Sequence, residues 1–150
     1  MSADHNATVA TPYAAVYLIF RKDNRFAFVL RANTGWMDGH YALPAGRVER
    51  DESFLQAAVR EANEEVGVVV QPENFEHRLT IHRKHPDSEW ADVVFEAAKW
   101  RGELFNAEPD IHGELIWFAA DELPDNIVPN SKFIIEKYLA HEAYAEIGWD

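Results

Sequence analysis

The alternation of apolar and polar positions along the chain predicts several strands. Tyr13 to Phe20 is an apolar run rich in β-branched and aromatic residues, which is typical of a buried strand. Lys22-Asp23-Asn24 is a turn signal, and two glycines with Asn and Asp indicate a loop over 33–40. The same reasoning predicts further strands at 26–30, 75–83, 90–100 and 115–119, and a short one at 68–70.

Two stretches have the pattern of helices. Ser53 followed by Gln56 is a capping box, which predicts a helix that starts there, continues to about Val66 and ends at Gly67. One face of this helix is apolar and can pack on a sheet; it consists of Leu55, Ala58, Val59, Ala62 and Val66. A second pattern predicts a C-terminal helix from Ser131 to about Ile147. The order β-β-α-β-β-β-α favours an α/β fold in which helices pack on a mixed sheet.

Length and composition narrow the classes of protein. A chain of 150 residues, 47% of them apolar, is expected to form one domain over 1–150, with residues 1–11 as a flexible tail. The absence of cysteine excludes disulfide frameworks, cysteine-type zinc sites and a cysteine nucleophile. Neither a secretory leader nor a membrane-spanning apolar run is visible, so a cytoplasmic protein without membrane partners is expected.

The formal net charge of −12 limits the partners further. A protein this acidic repels phosphate backbones, which argues against nucleic acid as a partner. A phosphorylated small molecule meets the same repulsion unless cations offset the charge. A polyphosphate substrate would therefore require divalent metal as a bridge.

Three glutamates on the first predicted helix supply such a site. Glu61, Glu64 and Glu65 lie at i, i+3 and i+4, so they share one helix face. Like charges at this spacing destabilise a helix unless a cation occupies the face, and ligands that are all oxygen suit Mg²⁺ or Mn²⁺. The alternative reading is a solvated acidic face with an Arg60–Glu64 pair.

The residues around these glutamates resemble a known family. The segment 46–68, GRVERDESFLQAAVREANEEVGV, is similar to the Nudix box G-x5-E-x7-R-E-U-x-E-E-x-G-U, where U is aliphatic. One position departs from the pattern, because Ala62 stands where a larger aliphatic residue is usual. That position is expected to face the core, so the chemistry should be intact.

The resemblance implies a fold and a metal site. It implies an α/β/α sandwich around a mixed sheet, in which the box forms a loop–helix–loop. It implies divalent metal, Mg²⁺ with Mn²⁺ as a substitute, on a set of oxygen ligands: the Gly46 carbonyl, Glu61, Glu64 and Glu65. Arg60 and Glu52 would pair and orient those carboxylates.

A second stretch extends the likeness. Trp100-Arg101-Gly102-Glu103 followed by Glu108 is similar to the corresponding segment of MutT-type enzymes. The resemblance implies that Glu108 lies in a loop facing the box helix, where it binds metal or acts as a base; the alternative is a surface carboxylate. Glu61 and Glu108 are then the two candidates for the catalytic base, and Glu61 is favoured because a helix fixes it.

The sequence indicates the substrate-binding residues less specifically than the metal ligands. Asn126 is a candidate for reading a purine edge, with Asn130 as its competitor. Arg31 is a candidate phosphate contact or simply a strand-edge charge, and Trp117 is a candidate stacking residue or a core residue. The seven histidines lack zinc-ligand spacing and are predicted to be on the surface or hydrogen-bonded.

The function implied is metal-dependent hydrolysis of a nucleotide-type small molecule. The leading hypothesis is a MutT-like (d)NTP pyrophosphohydrolase, which releases a monophosphate and pyrophosphate. Hydrolysis of ADP-ribose, a nucleotide sugar or another capped diphosphate is the alternative. A non-catalytic nucleotide sensor is disfavoured because the box glutamates are all present. A homodimer is left open, since no apolar stripe demands one.

Overall fold

The computed structural model describes residues 8–150, so most of the predicted tail lies outside the described residues. The helices are α1 (Phe54–Val66) and α2 (Pro129–Leu139), and a short 3-10 turn spans Pro72–Asn74. The strands of this part of the chain are β1 (Tyr13–Ile19), β2 (Arg21–Lys22), β3 (Arg25–Arg31), β4 (Tyr41–Ala42), β5 (Ala45–Arg47), β6 (Phe75–His85), β7 (Ser88–Ala97), β8 (His112–Ala119) and β9 (Tyr144–Ile147).

The strands form two sheets. The larger sheet has the order β5-β1-β7-β6-β9 and is mixed, because β1 runs parallel to β7 and β6 runs parallel to β9. In the smaller, antiparallel sheet β3 is the central strand and pairs with β2, β4 and β8. The predicted α/β fold with a mixed sheet and packed helices is confirmed, although one predicted sheet is in fact two.

Each helix covers its own hydrophobic core. Ala58, Ala62 and Val66 of α1 pack with Leu18 of β1 and Val29 of β3. The second core brings together Ile134 and Ile135 of α2 with residues of both sheets, among them Phe28, Leu79 and Ile81. Ala62 is fully buried, as predicted for the position that departs from the box pattern. A small residue there lets the helix lie close to the sheet.

Two sequence predictions are wrong. The segment 68–70 is not a strand; it makes only a single bridge, between Val69 and Arg101. The C-terminal helix does not reach Ile147. It ends at Leu139, because His141 adopts a left-handed φ of 57°.

Residues 144–147 form β9, which pairs with β6. Ala145 is buried there between the exposed residues Tyr144 and Glu146, which is the two-residue period of a strand. The sequence analysis also missed the short strands β2, β4 and β5. Within residues 8–150, no helix is both long enough and apolar enough to span a membrane.

Candidate active site

Helix α1 has defined ends that hold its glutamates in register. The Ser53 hydroxyl accepts from Gln56 N, and the Gln56 side chain accepts from Ser53 N, so the predicted capping box is present. Gly67 ends the helix in a left-handed conformation, with φ of 70°. A Cβ at Gly67 would also lie 2.0 Å from a ring carbon of Phe105, so a larger residue would have to displace that ring.

Glu61 and Glu65 point from α1 toward β5 and are almost completely buried, with 8% and 7% of their surface exposed. The Glu61 carboxylate lies directly against Gly46: a Cβ there would be 2.0 Å from its Oε1. Glu65 Oε2 accepts a hydrogen bond of 2.9 Å from Ala45 N. Two carboxylates are therefore packed against the backbone of one short strand.

Arg60 holds the surrounding carboxylates in place. Its guanidinium pairs with both oxygens of Glu52, at 2.7 and 2.9 Å. It also donates to Glu61 Oε1 at 2.7 Å and to Glu64 Oε2 at 3.1 Å. A further hydrogen bond reaches the carbonyl of Arg47, next to Gly46. The Arg60–Glu52 pairing implied by the resemblance is thus found in the geometry, and hydrogen bonding to Arg60 lowers the pKa of Glu52 to about 2.

Burial is the main influence on the pKa values of the paired carboxyls Glu61 and Glu65. Desolvation raises the pKa of Glu61 to about 7, against the opposing effect of Arg60. The pKa of Glu65 is raised well above its ordinary value, first by burial and then by the charge of Glu61. Burial and the charge of Glu64 raise the pKa of Glu108. Each of these groups resists carrying a negative charge unless a cation is present.

Glu108 lies in the loop between β7 and β8, and this loop is attached to the end of α1. Phe105 N donates to Val66 O and Ala107 N donates to Glu65 O, both at 3.1 Å. These bonds satisfy carbonyls that the end of a helix otherwise leaves unpaired. Glu108 is thereby held beside the box helix, in the place that the resemblance implies.

The donor set fits a divalent cation. All the candidate ligands are oxygens, which Mg²⁺ and Mn²⁺ prefer. The buried carboxylates carry a desolvation cost that a cation would offset. Within residues 8–150, however, no three acidic or histidine side chains already converge on one point. The carboxylates do not converge because Glu61 and Glu64 are hydrogen-bonded to Arg60, whereas Glu65 is hydrogen-bonded to Ala45 N.

Of the predicted substrate contacts, only Arg31 has a described interaction with one of the site carboxylates, Glu65. Arg31 donates to the carbonyl of Trp36 and the hydroxyl of Thr34, and its charge partly opposes the rise in the pKa of Glu65. The exposed side chain of Asn126 donates to Gly39 O. Trp117 packs on the core beneath α1, and its role in binding substrate stays a prediction.

Two polar residues have a buried atom without a hydrogen-bond partner among the described residues. The sequence analysis did not single out His112, and it named Asn130 only as a competitor of Asn126. His112 is only 3% exposed, and its Nδ1 is buried without a hydrogen-bond partner. The prediction that the histidines are on the surface or hydrogen-bonded is therefore wrong for this residue. Asn130 is half-buried, and its Oδ1 also lacks a partner. No local pattern marks either residue, since their burial depends on segments distant in sequence.

Comparison with known proteins agrees with this geometry. The family model of the NUDIX domain matches residues 10–138. The 8-oxo-dGTP diphosphatase of Escherichia coli is 30% identical over 112 residues, which cover 73% of this chain and 85% of that enzyme. The ADP-ribose pyrophosphatase of Methanocaldococcus jannaschii is 30% identical over 128 residues, covering 85% of this chain and 73% of that enzyme.

Two further comparisons concern a longer protein and a solved structure. The NAD-capped RNA hydrolase NudC of Pseudomonas aeruginosa is 33% identical over 132 residues, but the match spans only 45% of that protein. The crystal structure of a MutT NUDIX hydrolase from Burkholderia pseudomallei superimposes with a TM-score of 0.76 at 26% identity, covering 84% of this chain and 97% of that one. The chain thus belongs to the Nudix hydrolases, enzymes that cleave pyrophosphate bonds and generally need divalent metal.

Proposed function

We propose that this Nudix hydrolase is a MutT-like (d)NTP pyrophosphohydrolase, which uses Mg²⁺, or Mn²⁺ in its place, to release a nucleoside monophosphate and pyrophosphate. The observation that carries the proposal is the buried pair of Glu61 against Gly46 and Glu65 against Ala45, with the Glu108 loop attached to the end of their helix. Because the chain has a net charge of −12, this centre can bind a polyphosphate only if cations neutralise the repulsion between them. The similarity to an 8-oxo-dGTP diphosphatase supports the substrate class. We further infer that the chain forms one Nudix domain.

The residues of the site would have different roles in hydrolysis. Metal would be held by the carboxylates Glu61, Glu64, Glu65 and Glu108 and by the Gly46 carbonyl. Bound there, it would neutralise phosphate charge and lower the pKa of a water molecule. Glu61 would take the proton from the attacking water, since the helix and Gly46 fix its position. Glu52 and Arg60 would keep Glu61 oriented throughout.

Arg31 is suited to a phosphate group. Its charge opposes the rise in the pKa of Glu65, yet its described side-chain hydrogen bonds go to a carbonyl and a hydroxyl and not to a carboxylate. The Trp36 carbonyl and the Thr34 hydroxyl hold the guanidinium in place, and the Trp36 ring lies 4.9 Å from it. Together with a hydrogen bond from Thr34, the charge of Arg31 also lowers the pKa of exposed Asp38. A positioned cation that donates no hydrogen bond to a carboxylate still favours an anionic ligand.

Asn130 is better placed than Asn126 to read a base. Asn130 Nδ2 donates to the hydroxyl of Tyr17 at 2.8 Å, and Oδ1 is a buried acceptor with no partner in the described part of the chain. Burial and the charge of Asp92 raise the pKa of Tyr17 to about 12, so this hydroxyl stays protonated. A purine N–H would satisfy the free acceptor of Asn130. The side chain of Asn126, by contrast, is already bonded to Gly39 O on the surface.

A second substrate class has a specific observation in its favour. The similarity to an ADP-ribose pyrophosphatase extends over 85% of this chain, more than the 73% covered by the 8-oxo-dGTP diphosphatase. ADP-ribose and nucleotide sugars contain the same pyrophosphate group. Their hydrolysis would therefore depend on the same carboxylates and would differ only in the leaving group.

The test is a substrate panel assayed by phosphate release with Mg²⁺ or Mn²⁺ and coupled pyrophosphatase or phosphatase. The panel holds canonical and oxidised dNTPs, ADP-ribose, nucleotide sugars and dinucleoside polyphosphates. We expect metal-dependent turnover that is highest on a nucleoside triphosphate and yields pyrophosphate. Turnover confined to ADP-ribose or nucleotide sugars would overturn the triphosphate proposal in favour of the second class.

Replacing Glu65 tests the metal assignment. We expect Glu65→Gln to lower kcat by at least about 10³-fold, because the amide removes a charged ligand at a centre built on charge neutralisation. The fold should persist, since Gln retains an acceptor for Ala45 N. Glu136→Gln, on the exposed face of α2, is the matched control and should keep full activity. Unchanged turnover in Glu65→Gln would show that the metal lies elsewhere.

A further inference from the structure

His112 is a buried polar side chain that faces the metal-binding carboxylates. It begins strand β8, and its Nε2 lies 3.9 Å from Glu65 Oε1. The other oxygen of Glu65 is already held by Ala45 N at 2.9 Å. The ring therefore faces the one oxygen of Glu65 for which the structure shows no hydrogen bond.

The main chain of His112 is bound to the Glu108 loop. His112 N donates to Glu108 O at 3.0 Å. Asn106 closes a ring around this bond, because its Nδ2 donates to His112 O and its Oδ1 accepts from Glu108 N. His112 thus connects the loop that carries Glu108 to the helix residue Glu65.

A histidine at this position is costly unless its polarity is used. A buried polar atom without a partner destabilises the folded state, and an apolar side chain of similar size would avoid that cost. Among residues 8–150, Nδ1 has no hydrogen-bond partner, so the ring proton belongs on Nε2, where a carboxylate oxygen faces it. Burial and the charge of Arg31, its cross-strand partner, lower the pKa of His112 and keep the ring neutral.

We propose that His112 is a positioning residue whose Nε2–H donates a hydrogen bond to Oε1 of Glu65 and so orients that carboxylate toward the metal. The inference rests on the proposed role of Glu65 as a metal ligand. The gap of 3.9 Å has to close by about 1 Å to reach ordinary hydrogen-bond length. With Ala45 N on the other oxygen, Glu65 would then be held from both sides.

The test measures Mn²⁺ binding to the full chain without substrate, by calorimetry or by the EPR signal of free Mn²⁺. His112→Leu removes the donor and should weaken Mn²⁺ binding about 10- to 100-fold, which is the usual effect of losing a group that orients a ligand. His112→Gln places an amide N–H near the position of Nε2 and should stay within about threefold of wild type. His112→Asn places its amide near Nδ1 instead and should behave like the leucine variant.

Thermal unfolding and a control variant separate positioning from packing. Exposed His141 has a left-handed backbone that Asn tolerates, so His141→Asn should change neither measurement. A lower Tm in all three His112 variants with unchanged Mn²⁺ affinity would overturn the proposal, as would equal Mn²⁺ losses in the Gln and Leu variants. Retained Mn²⁺ binding in Glu65→Gln would instead refute the metal assignment itself, whatever the His112 variants do.

Discussion

Gly46 shows how one residue can decide the geometry of the candidate site. Its backbone does not have a positive φ, so conformational freedom is not the reason for a glycine. The reason is space, since a side chain would occupy the position of the Glu61 carboxylate. The close approach places the Glu61 oxygens beside the strand that is proposed to supply a carbonyl ligand.

Gly46→Ala should therefore damage catalysis more than stability. The added methyl group would displace the Glu61 carboxylate by about 1 Å or more, and a misplacement of that size can cost about 10²-fold in rate. We expect kcat to fall by that order while Tm changes little, since the carboxylate is a side-chain end that can move. Steady-state kinetics and thermal unfolding measure the two effects. Wild-type kcat in this variant would mean that Glu61 does not act from the position described.

At the scale of elements, α1 is tied down at both ends. The capping box holds its start, and backbone donors of the Glu108 loop hold its last carbonyls. The helix and the loop that bears Glu108 therefore form one structural unit. Thirteen residues is marginal for an isolated helix, so these ends and the buried face supply its stability.

Ser53→Ala tests the start of this unit. Losing the side-chain acceptor for Gln56 N should lower the free energy of unfolding by about 1 kcal/mol. Urea unfolding measures the change. Turnover at 25 °C should stay near wild type, because Ser53 lies two turns from Glu61. A large loss of activity without any loss of stability would contradict this separation.

For the whole molecule, the acidic centre links stability to pH and to metal. The pKa of Glu61 is about 7 in the folded protein, above its ordinary value of 4.5. Between these values the folded state binds more protons than the unfolded state, so stability falls as pH rises through this window. Glu52 has the opposite shift, but its pKa of about 2 leaves it ionised throughout the window.

Metal-free protein should therefore lose about 2 kcal/mol of unfolding free energy between pH 5 and pH 7.5 through Glu61. Urea unfolding in EDTA measures this loss, and Glu61→Gln should reduce it by about that amount. Adding Mg²⁺ or Mn²⁺ at pH 7.5 should restore stability, because an ion that binds only the folded state stabilises it by mass action. A pH dependence identical in Glu61→Gln and wild type would show that Glu61 is not the group responsible.

The local chemistry of the site was readable from the sequence alone. The extent of α1, its capping box, its glycine end and the shared face of its glutamates all follow from residues within about four positions of one another, where helical geometry is fixed. The resemblance of 46–68 to the Nudix box and the mixed α/β class came from the same local patterns. Glu108 became a candidate only because the stretch from Trp100 to Glu108 resembles the corresponding segment of MutT-type enzymes.

Contacts between distant segments decided the rest. The apolar residues of 144–147 suited a helix as well as a strand, and only pairing with β6 made them β9. The contact of Glu61 with Gly46 and the burial of His112 beside Glu65 each depend on segments that meet only when the sheets pack. The same holds for the unpaired buried Oδ1 on which the proposal for Asn130 rests. Burial and hydrogen-bond partnership are properties of the packed chain, and no local period of the sequence encodes them.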